Sequence, residues 1–296
     1  METNNEYNTK VTNKEIANGV KDEYGCIYSP DGKRLLKGNK DIESYTIKEG
    51  TEVICDNAFH AFFECSSLQS IVIPNSVTKI GDNAFNGCSS LQSIVIPNSV
   101  TVIGEEAFSN CTSLKSIVIP DSVTEIGDYA FCWCRSLQSI VIPESVTEIG
   151  DCAFTLGIEL TLHSSKFVVE DDLLINLEKK RLIQCLKDKN AVVIPESVTE
   201  IGDGAFYACK SLQSTVIPNS VTKIGNWAFC GCSSLQSIVI PKGKRKYFEG
   251  LLERRYHELL KDGSRRINGI TDLWSYGIKK IVLRLNAKTS RHRDIY

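Results

Sequence analysis

Residues 67–89 read SLQSIVIPNSVTKIGDNAFNGCS, and this 23-residue pattern recurs along most of the chain. Full copies start at four further serines, and the strand half recurs once more from Ser234; the four starts are Ser90, Ser113, Ser136 and Ser211. Prolines mark the same period, at Pro74, Pro97, Pro120 and Pro143 and again at Pro195, Pro218 and Pro241. A fixed period of roughly 20 to 29 residues with regularly spaced Leu and Ile is typical of a solenoid. Each copy is therefore expected to form one coil of a stack.

The strand of each coil is set by its alternation. Ile71 and Ile73 share one face with Leu68, whereas Val72 faces the other way, because side chains alternate along a strand. Pro74 ends the strand because it has no N–H for the ladder. We expect the isoleucine row to point into the stack, where each large apolar side chain contributes about 1.5–3 kcal/mol. A lone coil cannot bury these side chains, but stacked neighbours can.

The second half of each coil is expected to return to the core. Val77 and Ile80 should be buried again, and Gly81 permits a tight bend that includes a positive φ. Asp82 is placed to cap a single helical turn that carries the Ala-Phe pair of the pattern.

Two irregular stretches resemble each other. The polar turns at residues 31–32 and 178–180 each separate apolar runs, which is typical of a β-hairpin. Arg34 and Arg181 each stand 13 residues before an Ile that opens a fresh run of coils. One interpretation is a cap at the start and a spacer within the stack; the alternative is a pair of protruding recognition elements. The first coil carries three extra residues, since residues 58–62 offer the Ala-Phe pair twice.

Beyond Pro241 the period stops. Residues 246–261 place apolar side chains at helical spacing, with Gly263 as a stop, so we expect a helix that caps the last coil. From Lys242 to the end there are 15 Lys and Arg against 6 Asp and Glu, although the whole chain has a net charge of −2. This basic end makes nucleic-acid binding an alternative function to be weighed.

The repeat resembles the BspA-like class of bacterial leucine-rich repeats. The resemblance lies in the string L-x-x-I-V-I-P-x-S-V-T-x-I-G-x-x-A-F-x-x-C and in the segment YSPDGKRLL, and it covers roughly Tyr24 to Leu260. It implies a curved right-handed solenoid with a parallel sheet on the concave face and short helical turns and loops on the convex face. It also implies surface or secreted proteins that adhere to host proteins or other cells, and no catalytic activity defines the class. The chain shows no leader or anchoring domain, so two locations stay open: the cytoplasm, or the cell surface or exterior if a leader has been lost.

These patterns predict the domain organisation of a leucine-rich-repeat solenoid with two β-hairpin units and a C-terminal capping helix. In order, the expected parts are a polar arm (1–23), a cap hairpin with an irregular first coil (24–66), regular repeats (67–158), a degenerate coil with a hairpin insertion (159–190), regular repeats (191–241), the cap helix (242–263) and a basic tail (264–296). No stretch approaches roughly 18 consecutive apolar residues, so no membrane span is expected.

Common leucine-rich repeats bury an asparagine just after the strand, but this chain is expected to lack that ladder. The corresponding positions include carboxylates, and buried carboxylates without partners are costly. We therefore expect all of them to be exposed: Asn75, Asn98, Asp121, Glu144, Glu196 and Asn219.

Cysteine is the residue type that most suggests chemistry. One repeat position holds Cys65, Cys88, Cys111, Cys134, Cys209 and Cys232. Free cysteine is a small buried hydrophobe, so we interpret this set as a core column. A contact or a disulfide between Cys132 and Cys152 is an alternative, since stacked coils bring neighbouring positions close. The C-x-C pairs lack further ligands at zinc spacing, so no metal site is expected.

Other catalytic patterns are missing from the sequence. The four histidines are isolated, and residues 257–261 depart from the H-E-x-x-H zinc motif because Lys261 stands at the second ligand position. No glycine-rich phosphate loop and no G-x-S-x-G motif occurs. We expect neither an enzyme nor a cofactor.

The outward face of the strands is the candidate partner-binding surface. It consists of a serine row and a valine row: Ser70, Ser93, Ser116, Ser139, Ser214 and Ser237 with Val72, Val95, Val118, Val141, Val216 and Val239. A ladder of exposed valines forms an apolar stripe, and such stripes usually mark contact sites; alternatively, valine is there because it favours strands. The expected function is adhesion-like binding of protein ligands, with self-assembly or nucleic-acid binding by the tail as alternatives.

Overall fold

The structure, a computed structural model, describes residues 8–60 and 65–263. The second copy of the Ala-Phe pair, at residues 61–62, and the basic tail (264–296) lie outside the described residues. The first elements are α1 (Asn13–Asn18), β1 (Val20–Lys21), β2 (Ile27–Tyr28), β3 (Arg34–Lys37), β4 (Ser44–Thr46), β5 (Val53–Ile54), β6 (Ser70–Val72), β7 (Lys79–Ile80), β8 (Ser93–Val95), β9 (Val102–Ile103), β10 (Ser116–Val118), β11 (Glu125–Ile126), β12 (Ser139–Ile142), β13 (Glu148–Ile149) and β14 (Glu159–Leu162). Then follow β15 (Phe167–Glu170), β16 (Leu173–Asn176), β17 (Arg181–Cys185), β18 (Ala191–Val193), β19 (Glu200–Ile201), β20 (Ser214–Val216), β21 (Lys223–Ile224), β22 (Ser237–Ile240), α2 (Arg245–Glu249), a 3₁₀ helix (Arg254–Leu259) and β23 (Leu260–Asp262).

The strand of each repeat pairs in parallel with at least one neighbouring strand, which confirms the predicted stack. Ser70 lies opposite Ser93, and Ser93 lies opposite Ser116, so the strands pair in the register of the repeat. We call this series the long-strand ladder. It consists of β4, β6, β8 and β10, of the pair β12 and β14, and of β18, β20, β22 and β23. The coils from Ser44 to Leu162 form the first block, and those from Ala191 to Asp262 form the second block.

A second parallel ladder, which the sequence did not predict, runs through the return half of each coil. Its strands have only two residues in the repeats, such as Lys79–Ile80 paired with Val102–Ile103. We call it the short-strand ladder; it joins β3, β5, β7, β9, β11 and β13 in the first block and β17, β19 and β21 in the second. Each coil is thus held to its neighbours on two sides.

The core consists of columns of identical side chains. Phe85 and Phe108 are fully buried and stack with their ring centroids 5.3 Å apart and their planes 8° from parallel. Phe59 extends the column by stacking on Phe85 at 5.4 Å, so Ala58 and Phe59 fill the Ala-Phe position of the first coil. As predicted, the Leu, Ile and Val positions of the first-block repeats are buried as well.

Gly81 serves close packing between coils and has no positive φ, which corrects the expected bend. A Cβ at this position would lie 2.6 Å from the backbone nitrogen of Asp56 in the preceding coil. The left-handed residue is the one after the aspartate, since Asn83 has a φ of 56°. Larger side chains accept this strained conformation at the same position in other coils: Glu106, Tyr129, Cys152 and Trp227.

The Ala-Phe segment forms successive turns in which every second amide bonds to the next coil. Asn83 and Phe85 donate to the carbonyls of Glu105 and Ala107 at 2.7 and 2.8 Å. Asp82 does not cap its own coil as expected: its Oδ1 accepts from the backbone N–H of Glu105 at 2.9 Å. The carboxylate caps the following coil because the close approach at the glycine column brings that amide within reach.

Serine and threonine form similar ladders with the preceding coil. The hydroxyl of Ser99 donates to the carbonyl of Val77 at 2.6 Å, and Ser122 and Ser145 repeat the contact. The residue after the proline is exposed in every one of these coils, so there is no buried asparagine ladder, as predicted. The residue that follows it, a serine, forms a ladder in its place. Thr124 and Thr147 likewise donate to the threonine carbonyl of the coil before.

Both irregular stretches are three-stranded antiparallel units, one strand larger than the predicted hairpins. The first contains β1, β2 and β3, and the second contains β15, β16 and β17. The last strand of each unit opens a short-strand ladder: Leu35 pairs with Ile54, and Leu182 pairs with Ile201. The units therefore start the two blocks and are integral parts of the sheets.

The expected C-terminal cap helix takes a different form. Residues 246–261 contain a short α-helix, a 3₁₀ helix and then β23, whose Leu260 pairs with Ile238 of β22. Phe248 and Tyr256 are buried, and Tyr256 covers Phe229 edge to face at 5.8 Å. The segment thus covers the Phe column and adds one more strand to the long-strand ladder.

Thr215 is the one core Ile position of the full repeats that holds a polar residue. It is fully buried, and its hydroxyl has no hydrogen-bond partner among the described residues. An unsatisfied buried hydroxyl costs about 1–3 kcal/mol.

We predict that Gly127→Ala destabilises the fold by about 2–3 kcal/mol, because the added Cβ would clash with backbone atoms that cannot move alone. That Cβ would lie 2.5 Å from the nitrogen of Glu105. Chemical denaturation measures the change. Gly32→Ala is the control: it has a positive φ but open space, so it should cost only about 1 kcal/mol. Equal losses in the two variants would contradict the role of close packing.

We further predict that Thr215→Val raises the free energy of unfolding by about 1–2 kcal/mol, because it removes the unpaired hydroxyl at nearly constant volume. Thr222→Val is the matched control, since the Thr222 hydroxyl donates to the carbonyl of Thr199 at 3.2 Å. Stabilisation of both variants to the same extent would show that the missing hydrogen bond is not the cause.

Candidate binding surfaces

The long-strand ladder exposes the predicted valine row in the first block. Val72, Val95, Val118 and Val141 have exposed fractions of 58%, 77%, 73% and 48%. The serines two residues before them are also exposed: Ser70, Ser93, Ser116 and Ser139. Since the alternating Ile side chains point inward, the outer surface of these four strands is an apolar stripe beside a hydroxyl row.

The same rows are largely buried in the second block, which corrects the expectation that they face solvent throughout. Val216 and Val239 are only 5% and 4% exposed and form a small apolar cluster with Ala191 and Val193. Ser214 is 7% exposed, and Ser237 is half-buried. The residues are the same and the register is the same, so the repeat alone does not determine which valines are accessible.

The cysteine column is a core column, and it makes hydrogen bonds that the sequence did not reveal. None of the twelve cysteines, which all lie within the described residues, forms a disulfide, and this includes Cys132 and Cys152. In the column, Cys111 and Cys134 donate their thiol hydrogens to the carbonyls of Phe85 and Phe108 in the preceding coil, at 3.2 and 3.1 Å. Burial raises the pKa of Cys134 to about 12, so this thiol is a poor nucleophile at neutral pH.

A groove of about 520 Å³ lies along the short-strand ladder. Its lining includes five carboxylates, Asp82, Glu105, Glu125, Asp128 and Glu148, with Lys179 and Arg181 of the second hairpin unit. Lys179 and Arg181 pair with carboxylates of the stack, Lys179 with Glu148 and Arg181 with Asp151. Within residues 8–60 and 65–263, no group of His, Cys, Asp and Glu could hold a metal ion.

Asp151 connects the first block to the second across the inserted unit. Its Oδ2 accepts from Arg181 at 2.6 Å and from the backbone N–H of Asp203 at 3.0 Å. Its Oδ1 is buried and has no hydrogen-bond partner in the described part of the chain. Burial raises the pKa of Asp151 from 3.8 to about 6, although the charge of Arg181 acts in the opposite direction.

A cleft of about 300 Å³ lies on the opposite side of the same junction. Its lining includes Trp133, Arg135, Phe154, Tyr207 and Lys210. The sequence did not predict that Trp133 and Tyr207 meet, because they lie more than 70 residues apart in the chain and only the insertion brings them together.

Within the described residues, no helix is long and apolar enough to cross a membrane.

The geometry of stacked coils agrees with the comparisons to known proteins. The family described as BspA type Leucine rich repeat region matches residues 32–161 and 178–255 in six copies, which is more than half of the chain. The chain belongs to this family. The leucine-rich-repeat family is generally non-enzymatic.

Solved structures that are similar to this chain come from several bacteria. A leucine-rich repeat protein from Eubacterium ventriosum is 25% identical, with a TM-score of 0.51 over 67% of this chain and 68% of that one. The pneumococcal vaccine antigen PcpA is 22% identical, with a TM-score of 0.55 over 74% of this chain and 66% of that one. A leucine rich cell surface protein from Faecalibacterium prausnitzii is 27% identical, with a TM-score of 0.49 over 76% and 64%.

The BspA-type chain thus spans 64% of the length of the Faecalibacterium structure and 57% of that of a leucine-rich repeat protein from Bacteroides ovatus. A comparison with curated protein sequences finds no match.

We predict that Asp151 makes the free energy of unfolding depend on pH. Because its pKa is raised in the folded state, the folded protein holds this proton more tightly than the unfolded chain between about pH 4 and pH 6. Its contribution to stability is therefore present below pH 4 and is lost as the pH rises through about 6, by about 3 kcal/mol in total. The Asp151→Asn variant should lack this component.

Urea denaturation of the wild type and Asp151→Asn between pH 4 and pH 7 measures the difference. The exposed Asp121→Asn variant is the control and should follow the wild-type curve. If the stability difference between wild type and Asp151→Asn stays constant with pH, the carboxyl is ionised at all these pH values and the prediction is wrong.

Proposed function

We propose that this BspA-type repeat protein binds other proteins through the long-strand face of its first block. The observation that carries the proposal is the exposed row of Val72, Val95, Val118 and Val141. Large contiguous apolar patches on a soluble surface usually mark contact sites, and the four strands present this patch on a rigid scaffold that needs no ordering on binding.

The serine row supports the same surface. Ser93 and Ser116 stand beside the valines in register, so a ligand that covers the apolar row meets hydroxyl donors and acceptors at regular spacing. Interfaces usually have such an arrangement, with an apolar centre and a polar rim. We infer no catalytic role, since this face offers no nucleophile beside a base.

The second block is not part of the proposed interface. Val216 and Val239 are buried, so they cannot make direct contact with a ligand in this conformation. The hairpin units are also a poorer choice than the sheet, because their last strands, β3 and β17, are built into the short-strand ladder.

We include adhesion in the proposal as the biological setting. The family resemblance favours a location at the cell surface or outside the cell, where a protein-binding face of this kind would contact host or neighbouring cells. The partner is a protein, and the proposal requires neither a cofactor nor a metal.

The test is a double substitution in the centre of the row. Val95→Lys with Val118→Lys places two charges on the apolar stripe, so it should abolish capture of protein partners from host-cell extract, because buried unpaired charges are strongly unfavourable. Val102→Lys is the matched control: it adds Lys to the short-strand ladder at a position where other coils carry Lys79 and Lys223.

Capture is measured by pull-down and quantified against each partner identified with the wild type. Unchanged capture by the double variant would refute the site, as would equal losses in the Val102→Lys control. Light scattering at high protein concentration distinguishes partner binding from self-association. Self-association through this face would give a dimer or a larger species that the double variant does not form.

A further inference from the structure

The stack is interrupted on its turn side between the first and second blocks, and one side chain completes the broken ladder. In a regular coil, the backbone N–H of Phe131 donates to the carbonyl of Ala153 in the next coil at 2.7 Å. Phe154 has no such coil beside it. The buried amide of Gln184 takes its place, accepting from the Phe154 N–H at 3.1 Å and donating to the Phe154 carbonyl at 2.7 Å.

Gln184 satisfies the backbone but does not fill the volume of a coil. The 300 Å³ cleft remains beside it, with Phe154, Thr155 and Leu156 in its lining. This volume lies within the usual range of small-ligand sites, about 300–1,000 Å³. Because the Phe154 backbone is already paired, this part of the cleft is preformed.

Trp133 and Tyr207, from the two sides of the junction, contact each other edge to face, with ring centroids 6.1 Å apart at 81°. Most other coils have small or polar residues at these two repeat positions, and Leu156 at the first is the exception. The small or polar residues are Gly87, Asn110, Ala208 and Gly231 for the first position and Asn86, Ser109, Cys132, Thr155 and Cys230 for the second. Within residues 8–60 and 65–263, large aromatic rings at these positions therefore occur only in the two coils that border the cleft.

A cation accompanies the aromatic residue on each side. Arg135 and Lys210 share one repeat position, at which other coils carry Ser89, Thr112, Ile158 and Ser233. Arg135 lies over the Trp133 ring at 5.3 Å, and both cations are exposed and make no ion pair within residues 8–60 and 65–263. Asp188, the carboxylate in the lining, already accepts from the N–H and hydroxyl of Ser211.

We propose that this cleft binds an aromatic carboxylate, with the ring against Trp133 and Tyr207 and the carboxylate between Arg135 and Lys210. Three observations point to this chemistry: a preformed apolar lining, two aromatic walls, and two cations that have no carboxylate partner in the part of the chain that the structure describes. Aromatic rings pack favourably in offset or edge-to-face contacts with other rings. Arginine binds carboxylates through charge-assisted hydrogen bonds.

The site is independent of the valine row, because it lies on the turn side of the coils and not on the long-strand face. The ligand chemistry has two sources, a free small acid or an aromatic residue beside an acidic residue in a partner peptide. Both present a ring and a carboxylate to the same groups.

The test uses 3-phenylpropionate as the probe and the indole N–H signal of Trp133 as the readout in ¹⁵N-labelled protein. The Trp133→Phe variant assigns that signal. We expect a saturable shift with a dissociation constant in the millimolar range, the order of magnitude for a fragment of about ten heavy atoms. 3-Phenylpropanol, which keeps the ring and lacks the carboxylate, should bind at least about tenfold more weakly.

The decisive variant is Arg135→Ser with Lys210→Ser, which installs the residue that other coils carry at these exposed positions and so leaves the fold intact. It should weaken binding of 3-phenylpropionate about tenfold or more. Lys115→Ser removes an exposed cation elsewhere on the stack and should leave binding unchanged. If the double variant binds as tightly as the wild type, or if the Trp133 signal does not respond to the probe, the aromatic pair only seals the junction and the proposal is overturned.

A second arm distinguishes the two sources. A capped peptide with the sequence Gly-Asp-Phe-Glu-Gly is titrated beside the free acid, together with its Phe-to-Ala analogue. Tighter binding of the peptide, lost in the analogue and in the double variant, assigns the site to a partner protein; tighter binding of the free acid assigns it to a small molecule. A peptide that binds equally well without its Phe contradicts the proposed ring contact.

Discussion

Each coil of this chain completes its hydrogen bonds only through the coils beside it, and this is possible because the glycine column lets the backbones approach closely. At Gly127 a single Cβ would already overlap the coil before it. The close approach brings one coil's carboxylate onto the next coil's amide, as between Asp82 and Glu105. Serine, threonine and cysteine of the repeat make equivalent contacts with backbone carbonyls, so its polar residues are as structural as its apolar ones.

The inserted unit shows what happens when a coil has no regular coil stacked beside it. One of its side chains replaces contacts that a regular coil would make, since Gln184 pairs with the Phe154 backbone. Another, Arg181, adds an ion pair with Asp151. Asp151 itself still caps Asp203, which is 52 residues further along the chain. The ladders are thus continued across the insertion by a few polar contacts, while the Phe column is interrupted and leaves space on the turn side.

Much of the architecture follows from the sequence, because the repeat predicts the core columns. The Ile, Val and Phe positions are identical from copy to copy, and these side chains can meet only if the coils stack. The short-strand ladder was missed since two residues such as Lys79 and Ile80 are too few to show alternation. The roles of Gly81 and Asp82 were misassigned because their partners lie one coil away, which local patterns do not reveal. The C-terminal segment was predicted to be a single helix because its apolar residues have helical spacing. The same spacing also suits a 3₁₀ helix followed by a strand.

The candidate surfaces are likewise predicted by the sequence only in part. That Val95 and Val118 face outward is a consequence of alternation, but Val216 and Val239 are buried at the same repeat position, and the repeat pattern does not encode this difference. The cleft depends on residues that differ between the copies, and a consensus repeat pattern does not contain these differences. Uniform rows suit a broad contact, since every coil offers the same groups. Selective recognition needs coils that differ, and in this chain the coils that border the inserted unit, with Trp133 and Tyr207, differ most from the rest.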